Sequence, residues 1–256
     1  MVRWFGEAYS SARQGTTLHG LAVYGAKGKV HPGIDGSHLR VQDSDENFAF
    51  FGKPGGRGGS GDAGYPQARI AVLLNLRSRL LADASFGPFS TSEQALAREL
   101  VPSISDNSIT VLDRGFVDFK RFESITTKGV QRHVMVRLRN NQNFEGLKLL
   151  PDGTALVRVR PHRTTRRAHP DLPDSIEGRV VAYQHDGGKP CRLFVTMTDW
   201  ETYPAKDLVE LYHERWELEV GYDELKTHMF ERAECLRSLS PTNVIQELWG
   251  LLLVYN

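Results

Sequence analysis

The chain has 256 residues, 40% of them hydrophobic, with 32 Lys and Arg against 31 Asp and Glu for a formal net charge of +1. That length buries a substantial core, and the balanced charge excludes a globally basic or acidic binding protein, so any basic surface must be local. Two distant cysteines, Cys191 and Cys235, exclude a disulfide framework or a multi-cysteine zinc site and fit a reducing cytoplasm.

In chain order, residues 1–24 read as the tail of an upstream region. They lack the apolar segment of a signal peptide. "KVHPGIDGSHLRV" (29–41) is extended, with a turn signal at Gly36–Ser37. Nearby Asp43, Asp45 and Glu46 read as turn caps. "PGGRGGSGDAG" (54–64) is a glycine loop. It lacks the G-K-(S/T) ending of a phosphate-binding loop, so it reads as a surface segment that could bring Lys53 and Arg57 near phosphate. "ARIAVLLNL" (68–76) and "RLLADASF" (79–86) predict two strands of a hairpin. Ser90 with Glu93 three residues later predicts a capping-box helix start. "SITVLD" (108–113) predicts a buried strand, "GFVDFKRFESITTKG" (115–129) a helix ended by Gly129, and "RHVMVRLR" (132–139) another strand.

Residues 140 to about 190 mix strand runs with turns and contain the densest basic cluster, "RVRPHRTTRRAHP" (158–170). They predict a β-rich insertion beside the core, outside the central sheet. "RLFVTMT" (192–198) returns to a core strand. A long helix starts near Pro204, and a last one opens with Ser240 as N-cap and Pro241 in its first turn. That last helical pattern still runs at Asn256, so the chain reads as a fragment of a longer protein. Its apolar run 248–255 is too short to span a bilayer. Strands first, then alternating helices and strands, predict a mixed α/β domain with an insertion. The nine histidines show no metal-binding spacing, and no nucleophile elbow of a serine hydrolase is present.

The helix after Pro204 carries "YHERWELEVGYDELK" (212–226). At about 100° per residue, Tyr212, Arg215, Glu219 and Lys226 fall within roughly 60° of one another. Leu208, Leu211, Leu218, Tyr222, Leu225 and Met229 form an apolar stripe to one side, so the polar stripe borders the buried face. Such a stripe can be a salt-bridged face, since Arg215 and Glu219 are four apart. It can equally hold a metal-binding carboxylate beside cations for phosphate. Glu214, Glu217, Asp223 and Glu224 lie off the stripe.

The Y-x2-R-x3-E-x6-K spacing resembles the signature of IS-four-type insertion-sequence transposases, DDE enzymes with a ribonuclease-H-like core. "IDGSHLRVQDSDENFAFFG" is similar to the family's first-aspartate block and "ITVLDRGFVDF" to its second. "ECLRSLSPTNVIQELWGLLLVYN" resembles the segment after the third acid. The resemblance covers nearly the whole chain in the right order, and lacks the N-terminal DNA-recognition region and the last C-terminal helices.

The resemblance implies a ribonuclease-H-like mixed sheet flanked by helices, its core at 25–139 and 192–256 and the insertion at 140–191. It implies Asp35, Asp113 and Glu219 as catalytic acids and ligands of Mg²⁺ or Mn²⁺, with two ions serving an in-line phosphoryl transfer. Tyr212, Arg215 and Lys226 would contact DNA phosphates, Arg114 would neutralise phosphate or brace the site, and Trp216 would stack on a base. The partners implied are DNA and, in the full-length protein, a second copy in a synaptic homodimer, working in the cytoplasm on the nucleoid and not at a membrane. Two other readings share these acids: an inactive remnant that at most binds DNA, and a different ribonuclease-H-like nuclease.

Overall fold

The run at 68–75 is apolar at every position except Arg69 and Asn75, which suits a strand covered on both faces. In the computed structural model, which describes residues 29–54, 64–142, 144–184, 189–224 and 235–256 (without the side chains of 222 and 224), this run lies in the second strand of a nine-stranded sheet. The elements are β1 (Pro32–Arg40), α1 (Asp45–Phe51), β2 (Gln67–Asn75), β3 (Leu81–Pro88), α2 (Glu93–Glu99), β4 (Ser108–Leu112), α3 (Phe119–Thr127) and β5 (Arg132–Arg137). There follow β6 (Glu145–Leu149), β7 (Ala155–Val159), α4 (Arg163–Ala168), β8 (Ile176–Tyr183), β9 (Cys191–Val195), α5 (Ala205–His213), α6 (Trp216–Glu224) and α7 (Pro241–Tyr255).

The strand order is β3-β2-β1-β4-β5-β9-β8-β7-β6. β1, β4 and β5 run parallel to one another, and β2 runs antiparallel to β1. This is the ribonuclease-H-like core expected from the sequence, with helices on both faces. Ile70, Val72 and Leu74 point into one core with Leu208, Leu211 and Leu218 of α5 and α6 and Val244, Leu248 and Leu252 of α7. Ala71 and Leu73 point to the other, with Leu96 and Leu100 following α2's face and Phe119, Phe122 and Ile125 of α3. The alternation follows the two-residue period of a strand.

Several expectations are corrected. β1 passes straight through Gly36–Ser37 with no turn, in unbroken register against β2 from Pro32 to Arg40. Asp45 and Glu46 do not cap a turn: they form the first turn of α1, whose N-cap Ser44 accepts a hydrogen bond from the Asn47 amide (3.2 Å). The N-cap of α2 is Ser92 rather than Ser90, its hydroxyl accepting from the Ala95 amide (3.1 Å). The segment 115–129 begins as a short 3₁₀ turn at Arg114–Phe116 and becomes helical at Phe119.

The insertion does not stand apart from the central sheet. β8 pairs antiparallel with the core strand β9 from Arg179↔Val195 to Tyr183↔Cys191, and β7 and β6 continue outward. Gly178 of β8 permits this join: a Cβ there would lie 2.5 Å from the Val195 carbonyl oxygen and 2.5 Å from the Phe194 ring. The fully buried Arg179 next to it donates to the Tyr203 carbonyl (2.6 Å), bracing the approach to α5.

The expected long helix is two helices. The amides of Glu214 and Arg215 bond back to Leu211 and Tyr212, and those of Glu217 and Leu218 to Glu214 and Arg215, a tight three-residue pattern between α5 and α6. Arg77 and Arg79, in the β2–β3 turn, grip Glu214 (2.5 Å) and Glu217 (2.6 Å) at this break.

Candidate active site

Parallel pairing sets the first two acids side by side. Ile34 of β1 is level with Leu112 of β4, so Asp35 and Asp113 are the next residues on two adjacent strands, where β4 ends and the strands part. A crevice beyond the carboxyl end of such strands is the usual ligand position in open sheets of this kind. Asp35 accepts a hydrogen bond from the Gly36 amide (2.9 Å). Burial pushes its carboxyl above the usual range, the Gly36 amide and Arg215 oppose that, and the charges of Asp113 and Glu219 add to the rise.

Glu219 and Arg215 come from the break and first turn of α6. Arg215 Nη2 donates to Glu219 Oε1 at 2.8 Å. Tyr212, from the end of α5, is buried, and among the described residues its hydroxyl has no hydrogen-bond partner; the buried Arg215 Nε has none among them either. Burial pushes the Tyr212 hydroxyl well above its ordinary range, with Asp113 adding to the effect against Arg215. Two buried donors are thus left without acceptors beside the aspartates.

Among the described residues no three His, Cys, Asp or Glu side chains are gathered into a closed metal cluster. Arg215 holds Glu219 in an ion pair across one helical turn. The donor set itself is all carboxylate oxygen, which suits a hard divalent cation.

A cavity of about 340 Å³ opens beside the site. Tyr212, Arg215 and Trp216 line it together with Arg137, Tyr183 and Lys189, which the sequence did not single out. Trp216 is 62% exposed, unusual for a helix tryptophan and free of the core. Arg114 is exposed on the turn just past Asp113. Lys226 and Arg57 lie outside the described residues. Lys53 is engaged by Asp43 at 3.2 Å.

Glu93 is a further acid that sequence reasoning assigned to capping. Because Ser92 takes that role, Glu93 is free to lie flat on β1: a Cβ on Gly36 would be 2.4 Å from its Cγ and 2.6 Å from its Oε1. Burial pushes the Glu93 carboxyl up, and the charge of Asp35 adds to this. The readable signal was the glycine directly after Asp35, whose missing side chain makes the room.

In the 158–170 segment most arginines are already paired. Arg158 and Arg160 bond Glu177 and Glu145 (both 2.9 Å), and Arg166 holds Asp174 (3.1 Å) and the Leu172 carbonyl. Arg163 and Arg167 are exposed, and among the described residues neither has an ion pair. They line a hollow of about 320 Å³ with Arg160, Pro161, Arg166 and Asp174.

Comparison with known proteins gives a consistent result. A family model described as the transposase DDE domain matches residues 29–256. The chain is 35% identical over 223 residues to the transposase InsG for insertion sequence element IS4 of Escherichia coli (strain K12), covering 87% of this chain and 50% of that protein. The piggyBac transposase, solved by cryo-electron microscopy as a synaptic complex with hairpin DNA, shares the fold with a TM-score of 0.50 at 12% identity, over 88% of this chain and 45% of that one. The chain therefore spans about half the length of the relatives it matches.

Proposed function

Because the chain belongs to the transposase DDE domain family, we propose that it carries the catalytic core of an insertion-sequence transposase, which cleaves DNA strands and joins them to a target. The observation that supports this most directly is that Asp35 and Asp113 each directly follow the last paired position of two adjacent strands, Ile34↔Leu112, near two buried donors, Tyr212 Oη and Arg215 Nε, that have no partner among the described residues. In this reading residues 25–139 and 192–256 form the catalytic core and 140–191 the insertion.

Asp35, Asp113 and Glu219 would hold Mg²⁺ or Mn²⁺, two ions in the full site, whose Lewis acidity supports an oxygen nucleophile attacking a phosphodiester. The nucleophile is water in cleavage and a DNA 3′-hydroxyl in strand transfer. Arg215 and Tyr212 donate to non-bridging phosphate oxygens; the guanidinium fork still has free donors while it holds Glu219. Arg137, Lys189 and Arg114 add positive charge along the strand path, Lys226 would be a further phosphate contact, and Trp216 offers an open aromatic face to a base. The whole protein would act in the cytoplasm on nucleoid DNA, as a homodimer that pairs two DNA ends.

The substitution Glu219→Gln tests this. Glutamine keeps the shape and removes the charge. Nicking with Mg²⁺ is expected to vanish, while duplex binding in a gel-shift assay stays within about twofold, because phosphate contacts dominate affinity. Cleavage at the normal rate would reduce Glu219 to the salt-bridge partner of Arg215.

A further inference from the structure

The loop that follows Asp113 is held from the far side of the sheet. Arg121 of α3 is fully buried, and its guanidinium donates to two backbone carbonyls: Phe116 (3.1 Å) and Gln94 (3.0 Å). It also lies 4.9 Å from the Phe116 ring centroid. Gln94 of α2 reaches back and donates to the Gly115 carbonyl (2.5 Å). The turn carrying Asp113 is thus tied to the start of α2 directly by one hydrogen bond and, through the Arg121 guanidinium, by a two-bond bridge. The residue before Gln94 is Glu93, whose side chain lies flat on Gly36, next to Asp35. The first turn of α2 therefore touches β1 one residue past Asp35 and the 3₁₀ turn two residues past Asp113. The paired ladder between β1 and β4 ends at Ile34↔Leu112, and this bridge adds a second constraint just beyond that end.

We propose that the first turn of α2, with Arg121 behind it, is a clasp that sets the separation of Asp35 and Asp113, so that Glu93, Gln94 and Arg121 are positioning residues for the acidic site. The proposal rests on the reading of Asp35 and Asp113 as functional acids. A buried arginine is costly unless its donors are used, and here two of them go to backbone carbonyls, one in the turn after Asp113 and one in α2, rather than to a carboxylate. That arrangement fixes backbone position more than charge. Groups that orient metal-binding side chains typically change metal affinity by about 10–100-fold when removed.

The test uses Mn²⁺ binding to the whole chain, followed by electron paramagnetic resonance, beside thermal melting without metal. The variants are Gln94→Ala, Gln94→Lys, Arg121→Lys and Asp113→Asn. Gln94 is only partly buried, so its alanine variant folds even if an Arg121 variant does not. Gln94→Ala is expected to weaken Mn²⁺ binding about tenfold with an unchanged melting temperature. Gln94→Lys, which restores a donor to Gly115, recovers most of that loss, a rescue that a merely structural role does not predict. Wild-type affinity in Gln94→Ala, with Asp113→Asn losing the metal, overturns the clasp and leaves the site reading intact. Unchanged binding in Asp113→Asn overturns the site reading and the clasp with it.

Discussion

Glu214 shows how strongly a single residue's surroundings decide its part. Burial pushes its carboxyl up, yet His31 and Arg77 outweigh that and hold it at about 2. A depressed folded value means that Glu214 stabilises the fold above its ordinary range near 4.5, and that this contribution is lost as pH falls toward 2. Glu214→Gln should therefore lower stability by about 1–2 kcal/mol at pH 7, discounted for its partial exposure, and by almost nothing at pH 2. Denaturant titrations of both proteins across that range measure the difference; a gap independent of pH would show that the ion pair is not its source. The sequence could not have shown this partner. Arg77 lies 137 residues away, and only the hairpin turn brings it to the helix. Asp35, Asp113 and Glu219, proposed above as the acids, could be singled out because each stands in a local block whose spacing resembles the family's. Glu93 was not, because its contact with Gly36 joins two elements, and the glycine after Asp35 marks room for a neighbour without saying which residue fills it.

Among the elements, strands with strong apolar runs were legible in place and order, since burial on both faces writes itself into consecutive residues. The break between α5 and α6 was hidden, because Leu208, Leu211 and Leu218 keep helical spacing across it while two arginines from another turn shape it. The joining of the insertion to the sheet was also hidden. It depends on β8 meeting β9, a pairing set by Gly178 lying under the Phe194 ring and the Val195 carbonyl. Gly178→Ala should cost about 1–3 kcal/mol, because the opposing backbone oxygen cannot move aside as a side chain could. Equilibrium unfolding would show the loss; a variant as stable as the parent would mean that β8 and β9 are free to slide apart there.

At the scale of the whole molecule, near-neutral net charge coexists with local basic surface at two places, the cavity by Arg215 and the hollow by Arg163 and Arg167. Each phosphate that the protein neutralises contributes about 0.9 to the log–log slope of duplex binding against salt. Replacing both Arg163 and Arg167 with alanine should therefore reduce that slope by about 2, with binding measured over a range of salt concentrations. An unchanged slope would assign the hollow to structure alone. The continuous sheet also fixes how the two places face one another. Neighbouring strands rotate by about 20–25°, and four steps separate β4 from β7, so the two strand directions differ by about 80–100°. The same four steps span about 19 Å. Twist alone therefore makes the insertion a side wall to the acidic site rather than an extension of its floor, and a duplex touching both would be gripped from two directions.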